Sequence, residues 1–224
     1  MNKETKKLIK ELKSNRDHKI FITNNSSKLI GYMKPITYYD IGNDDLIENL
    51  KNWRNENIFA YLSHDLASFE GTRRWLSKFI LDNDSKILFI IYTDQNIPIG
   101  HIGLADGLET NSSVEIDNIV RGIKSLIPGI MTHAVYDLIS WTFLVTKSKK
   151  VYLRVFSDNY NAIKLYEKLR FTNKIKFSLK KEKKNGVTKY SFINSKRITK
   201  KYFQSMELQR NDHFLNYNNI KNNK

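Results

Sequence analysis

The segment Ser113–Val120 reads SVEIDNIV, with Val114, Glu115, Ile116 and Asp117 alternating apolar and acidic. Strand side chains alternate between faces, so Glu115 and Asp117 share one. Each carboxylate can take up a proton or pair with a neighbouring cation. Downstream, Pro128-Gly129 precedes an apolar run to about Val145, the punctuation of a helix start. The unpaired N–H groups and positive dipole end of such a start can receive a phosphate, and a glycine lets the backbone come close. In that use Gly129 sits at the phosphate, and Ile130, Met131 and Thr132 supply N–H groups. In the plainer one Gly129 only opens a helix. Trp53-Arg54 offers a ring that can stack on a nucleobase and a guanidinium that can pair with a diphosphate. The alternative is a core tryptophan beside a surface ion-pair partner. His64 and His101 are further candidates on the substrate side. Neither has second or third ligands at useful spacing, so no metal site is expected. The chain has no cysteine, which excludes a disulfide framework, a thiolate metal site and a cysteine nucleophile.

Three prolines and nine glycines imply a chain dense in regular structure. Leu8, Ile9 and Leu12 form one stripe, predicting a short helix over residues 3–13. A strand over residues 28–37, interrupted by Pro35, comes next. Helices are predicted over residues 44–57, where Leu46, Ile47, Leu50 and Trp53 recur at helical spacing, and over residues 68–82. The period then changes to give strands at residues 87–93, 97–104 and 113–120. A long helix to about residue 145 follows, then a strand at 151–156 and a helix at 159–169. Asn185-Gly186 between apolar runs predicts a hairpin. Near the C-terminal end Ile198, Tyr202, Phe203 and Met206 read as a short amphipathic piece. Short-linked strands pair antiparallel and a strand–helix–strand unit crosses parallel, which makes an α+β mixed sheet.

The stretch Val151–Phe171, VYLRVFSDNYNAIKLYEKLRF, resembles the N-x-x-A-x-x-L-Y-E-K-x-G-F element of the GCN5-related N-acetyltransferase (GNAT) family. Asn159, Ala162, Leu165, Tyr166, Glu167, Lys168 and Phe171 carry the match. The strand at residues 97–104 and the strand–loop–helix at 113–131 extend the likeness to roughly residues 28–193. The resemblance implies a GNAT fold, a mixed and mostly antiparallel central sheet flanked by helices. It also implies acetyl-CoA as cosubstrate. Glu115 stands fourteen residues before Gly129, the family's spacing for its catalytic glutamate, and becomes the general base, directly or through a water. Asp117 is the runner-up. Tyr166 becomes the acid that protonates the coenzyme A sulfur. Asn159 and Ala162 fall in the cofactor-binding element, where Asn159 contacts the cofactor or caps its helix. A strand N–H near Ile119, where the family splays two strands, would stabilise the oxyanion. The loop departs from the family pattern. Leu126 stands in place of Arg or Gln, Met131 in place of Gly or Ala, and Pro128 has no N–H; Arg121 and Lys124 are placed to compensate. Arg170 stands where the family has glycine, so a positive φ there would be strained.

The formal net charge is +15, but residues 1–20 carry +4, residues 21–169 carry −1 and residues 170–224 carry +12. Basic residues are 29 Lys against 9 Arg, whereas base readout and phosphate clamping favour Arg. This argues against a nucleic-acid function. No apolar stretch is long enough for a membrane span or a signal peptide, and a cytoplasmic protein is expected. The expected organisation is a basic N-terminal extension with a short helix (1–20), an acetyltransferase domain (21–194) and a basic tail (195–224), partly helical and then disordered. The W-R-N element at Trp53 resembles acetyltransferases that act on nucleotide-linked amino sugars, and also relatives that modify protein N-termini. The expected reaction is acetyl transfer to the amine of a nucleotide-linked deoxyamino sugar for glycan synthesis, by direct attack in a ternary complex, in a monomer or homodimer. The alternatives are a protein N-terminal or ribosomal-protein acetyltransferase, and a non-enzymatic nucleic-acid-binding protein on the same scaffold. A pocket closed by the helices of residues 52–75 would favour a small sugar, and an open acidic groove a peptide.

Overall fold

A computed structural model describes residues 3–105, 113–124, 127–194 and 198–215. In chain order the elements are α1 (Lys3–Ser14), β1 (Ile20–Thr23), β2 (Leu29–Pro35), α2 (Asp44–Glu56), α3 (Phe69–Trp75), β3 (Ile87–Thr93), β4 (Pro98–Ala105), β5 (Ser113–Arg121), α4 (Ile130–Thr146), β6 (Lys150–Phe156), α5 (Tyr160–Lys168), β7 (Thr172–Lys184), β8 (Val187–Phe192) and β9 (Tyr202–Gln209). The strands form one sheet in the order β1-β2-β3-β4-β5-β6-β9-β7-β8. Every neighbouring pair is antiparallel except β5 and β6, which run parallel.

Local sequence explains the helix starts. Asn43 accepts from the Leu46 N–H at 3.1 Å and Ser68 from the Gly71 N–H at 3.1 Å, satisfying donors that a helix start leaves unpaired. The continuation of α3 loosens into a π-helical turn over Leu76–Leu81.

Two apolar layers cover the sheet. In β3, Phe89 and Ile91 join the core under α1, α4 and α5, while Leu88 and Ile90 join the core under α2 and α3. This is the period of two expected of a strand buried on both faces. No described helix is long and apolar enough to cross a membrane.

The two ends depart from expectation. Helix α1 forms where its stripe predicts, but it is no appendage. Ile9 and Leu12 are buried in the main core, and the buried Lys13 donates to the carbonyls of Ile80, Leu81 and Asn83 at 2.6, 3.0 and 2.6 Å. Lys13 therefore supplies the donor that the end of the α3 layer needs. Among the described residues, the helix expected in the tail forms only over residues 210–215, and the amphipathic piece before it is β9. Its residues Gln204, Met206 and Leu208 are buried in strict alternation, and it pairs with β6 on one side and β7 on the other. The final residues, 216–224, lie outside the described residues.

Candidate active site

Strands β5 and β6 pair over only three rungs, Ser113–Glu115 against Lys150–Tyr152, and then part. Each stays backed on its far side. β5 remains paired with β4 as far as Arg121, and all seven residues of β6 pair with β9. A cleft of about 490 Å³ opens between two braced walls, Glu115–Val120 on one and Leu153–Phe156 on the other. Asn159 and Tyr166 from α5 line it as well. The far hairpin curls over it. His64 donates its N–H to Thr188 O and Tyr190 donates to Leu62 O, so residues 62–64 hold the edge of β8, and Phe192 and Ser63 both face the cleft.

At the parting point Glu115 is buried, its side chain 4 % exposed, and accepts from Arg154 Nε at 2.7 Å and Nη2 at 3.0 Å. Tyr152 donates a longer bond to the same carboxylate at 3.4 Å. Burial raises the Glu115 carboxyl above its ordinary range, against the pull of Arg154. Asp117 lines the cleft too, as the shared face predicts, but its carboxylate accepts the Asn118 N–H at 2.7 Å and the Asn118 amide at 2.9 Å. Tyr166 is 7 % exposed, and burial pushes its phenol far above the usual value. It stays protonated at any working pH, as a proton donor must. Asn159 caps α5, accepting from the Ala162 N–H at 3.3 Å, while it lines the cleft. The cap foreseen for it is present; Ala162 itself packs against the core.

At the start of α4, Gly129 has φ +79°, which only glycine adopts freely. Its N–H donors are fewer than the sequence promised. The Ile130 N–H turns back to Ile127 O at 3.3 Å and the Thr132 N–H to Gly129 O at 2.9 Å, because the turn closes on itself. Among the three, the Met131 N–H has no backbone acceptor in the described residues. The Ile130 and Met131 side chains are buried in the core. Arg121 and Lys124 are exposed, and Leu126 lies outside the described residues. The left-handed glycine leaves room for a phosphate to approach closely. Gly129 and Thr132 do not line the cleft, however; they border a separate cavity of about 210 Å³ that Lys168 also lines.

A second cavity of about 410 Å³ adjoins the cleft. Leu50 and Arg54 of α2 and Gly71, Thr72 and Trp75 of α3 enclose it, with His101 and Asn118 from the sheet. Arg54, Tyr61 and Asn118 line both spaces. Arg54 lies over the Tyr61 ring at 3.9 Å and donates Nη2 to Ser63 O at 2.6 Å, while its buried Nη1 has no partner among the described residues. Burial pushes the Tyr61 phenol up to about 12.

Two substrate-side expectations are corrected. Trp53 does not face a ligand. It is 3 % exposed in the core beneath α2 and α3, and a Cβ on Gly122 would fall 2.2 Å from its ring. The helical stripe of α2 already contained it. His64 lines neither cavity; its ring lies against Phe59 and Tyr190. Arg54 and His101 do reach the second cavity, although His101 is 2 % exposed. Sequence reasoning passed over Arg154 and Asn118. A lone arginine in the apolar strand VYLRVF was a usable signal for the first. Nothing in the spacing announces the bulge at Asn118.

No cluster of three or more His, Asp or Glu among the described residues is arranged to hold a metal ion. The family model of the acetyltransferase (GNAT) domain matches residues 35–172. The acetyltransferase PseH of Campylobacter jejuni is 30 % identical over 132 residues, 58 % of this chain and 79 % of its own length. Among solved structures, the spermidine N-acetyltransferase of Vibrio cholerae, in complex with CoA and spermine, superposes with a TM-score of 0.60 at 17 % identity, covering 81 % of this chain and 96 % of that one. Apo FdhC, described as a nucleotide-linked sugar GNAT, gives 0.60 at 13 % identity, covering 90 % and 95 %.

Proposed function

The chain belongs to the GNAT acetyltransferase family and is an N-acetyltransferase, and from that premise we propose that its acceptor is the amino group of a nucleotide-linked deoxyamino sugar. The observation that carries this is the second cavity. Helices α2 and α3 form part of its wall, and it meets the cleft at Arg54, Tyr61 and Asn118. Its size suits a small molecule. The unpartnered Nη1 of Arg54 suits a diphosphate oxygen. The description of FdhC as a nucleotide-linked sugar GNAT supports the same class.

In this reading acetyl-CoA lies along the cleft, with its phosphates at Gly129, Met131, Arg121 and Lys124, and supplies an activated acyl carbon and a thiolate leaving group. Asn159 and the backbone near Ile119 orient it, the latter receiving the developing oxyanion. As the amine nitrogen bonds to the acyl carbon and the carbon–sulfur bond breaks, Tyr166 gives its proton to the sulfur, and the second proton the nitrogen sheds restores the phenol. Glu115 takes the proton of the acceptor ammonium through a water, its raised pKa bringing it toward the range of a working base. With no cysteine in the chain, direct attack needs no acyl-enzyme.

A free-thiol release assay tests the acceptor. Acetyl-CoA is offered with UDP- and dTDP-linked amino sugars, with spermidine, and with peptides bearing free N-termini. Turnover with a nucleotide sugar is expected. Turnover confined to spermidine or to peptides refutes the proposed class.

A further inference from the structure

His101 lies on β4 at the floor of the acceptor cavity. Its Nδ1 is 2.8 Å from the carbonyl oxygen of Asn118. A carbonyl oxygen can only accept, so Nδ1 carries the proton. Asn118 brings its carbonyl there by adopting φ +52° at a bulge, where β5 sets Asn118 and Ile119 against Ile102. The Trp53 ring, 6.2 Å away between centroids, backs the imidazole. Burial lowers the pKa of His101 to about 4, so the ring is neutral at working pH. In a neutral imidazole with the proton on Nδ1, Nε2 holds a lone pair and no hydrogen. The fold thus fixes one tautomer and leaves Nε2 an acceptor on a residue that lines the cavity together with Arg54 and Tyr61.

An amine about to attack must direct its lone pair at the acyl carbon, and its N–H groups then need acceptors elsewhere. We propose that Nε2 of His101 accepts a hydrogen bond from the acceptor amine and so orients it toward the cleft. The proposal rests on the reading of the second cavity as the acceptor site, and it leaves open which sugar fills it.

The test has one arm that needs no turnover. Long-range 15N–1H imidazole spectra of the free protein should show His101 as the Nδ1–H tautomer at pH 7; an Nε2–H tautomer or a doubly protonated ring overturns the proposal. The second arm uses two variants. His101→Asn sets an amide nitrogen near Nδ1, keeping the bond to Asn118 but losing Nε2. His101→Gln keeps a polar atom near Nε2 and loses the bulge contact. The expected result for His101→Asn is a thermal midpoint close to wild type, acetyl-CoA KM within about twofold, and amine KM raised about three- to tenfold, the worth of one neutral hydrogen bond. His101→Gln should keep more of the amine affinity. Wild-type amine KM in His101→Asn overturns the proposal. If no amine on the panel is turned over, the proposed acceptor class falls, and the tautomer of the free protein still decides the role of His101.

Discussion

Replacing Arg154 by methionine should leave the Glu115 carboxylate buried without its cation. The carboxylate is 4 % exposed and loses two charge-assisted bonds of 2.7 and 3.0 Å, keeping only the 3.4 Å contact of Tyr152. Breaking a fully buried pair costs about 3–5 kcal/mol. Arg154 is 41 % exposed, and solvent screening weakens its share of the pair. The expected loss at pH 8 is therefore about 2 kcal/mol. Protonation of the stranded carboxyl limits that loss. From an ordinary carboxyl value of about 4.3, the ceiling is about 1 kcal/mol at pH 5. The sign follows from linkage. In the variant the folded carboxyl holds its proton to higher pH than the unfolded one, so stability falls as pH rises. Urea unfolding at pH 5 and pH 8 measures both, and the variant should lose ground on wild type between them. Adding Glu115→Gln to the variant should recover most of the deficit at pH 8. A deficit that is equal at both pH values, or that survives the second substitution, would refute the reasoning, because the loss would then be packing and not stranded charge.

Other outcomes follow from single contacts. Tyr166→Phe should lower kcat by about a hundredfold or more with little change in acetyl-CoA KM, since it removes a proton donor and almost no surface; thiol release at saturating acetyl-CoA reads this directly. Arg170 adopts φ +67° just after α5, with its N–H on Glu167 O at 2.8 Å. Arg170→Gly should relieve a left-handed conformation and gain about 0.5–1 kcal/mol after glycine's entropic cost, seen as a higher thermal midpoint. Lys13→Met should cost about 2 kcal/mol by leaving the carbonyls of Ile80, Leu81 and Asn83 without their shared donor, measured as a lower urea midpoint.

Elements with several turns or a clear alternation were legible in the sequence. The helices and strands from β2 to β8 form where their periods place them, and the asparagine–glycine pair does turn the final hairpin. Short or ambiguous segments were not. Four residues of β1 carry too little pattern to read. In β9, Tyr202, Phe203 and Met206 satisfy a helical spacing while Gln204, Met206 and Leu208 satisfy a strand's, and only pairing with β6 and β7 decides between them. Within the site, strand alternation puts Glu115 and Asp117 on one face, while Asn159 and Tyr166 were reached through the family resemblance; all four line the cleft. Arg154 was not, because its meeting with Glu115 depends on a parallel register between strands far apart in the chain. Trp53 and Arg54 are adjacent, yet a helix turns neighbours by about 100°, so one fills the core and the other faces both cavities.

Strand β9 sets an order on assembly. Among the described residues, one wall of the cleft, β6, has its far edge covered only by residues 202–209, and β7 reaches the rest of the sheet only through that strand. During synthesis β6 leaves the ribosome some fifty residues before its partner, as a mostly apolar strand with an open edge. The half of the sheet up to β5 can zip up from sequential neighbours, whereas the half that completes the cleft waits for a long-range insertion, the slow kind of contact in folding. A nascent chain stalled inside that window would expose the acetyl-transfer wall as a sticky edge. The lysines of the β7–β8 hairpin emerge within it and add positive charge to the chain while that edge is open, which opposes pairing with another chain.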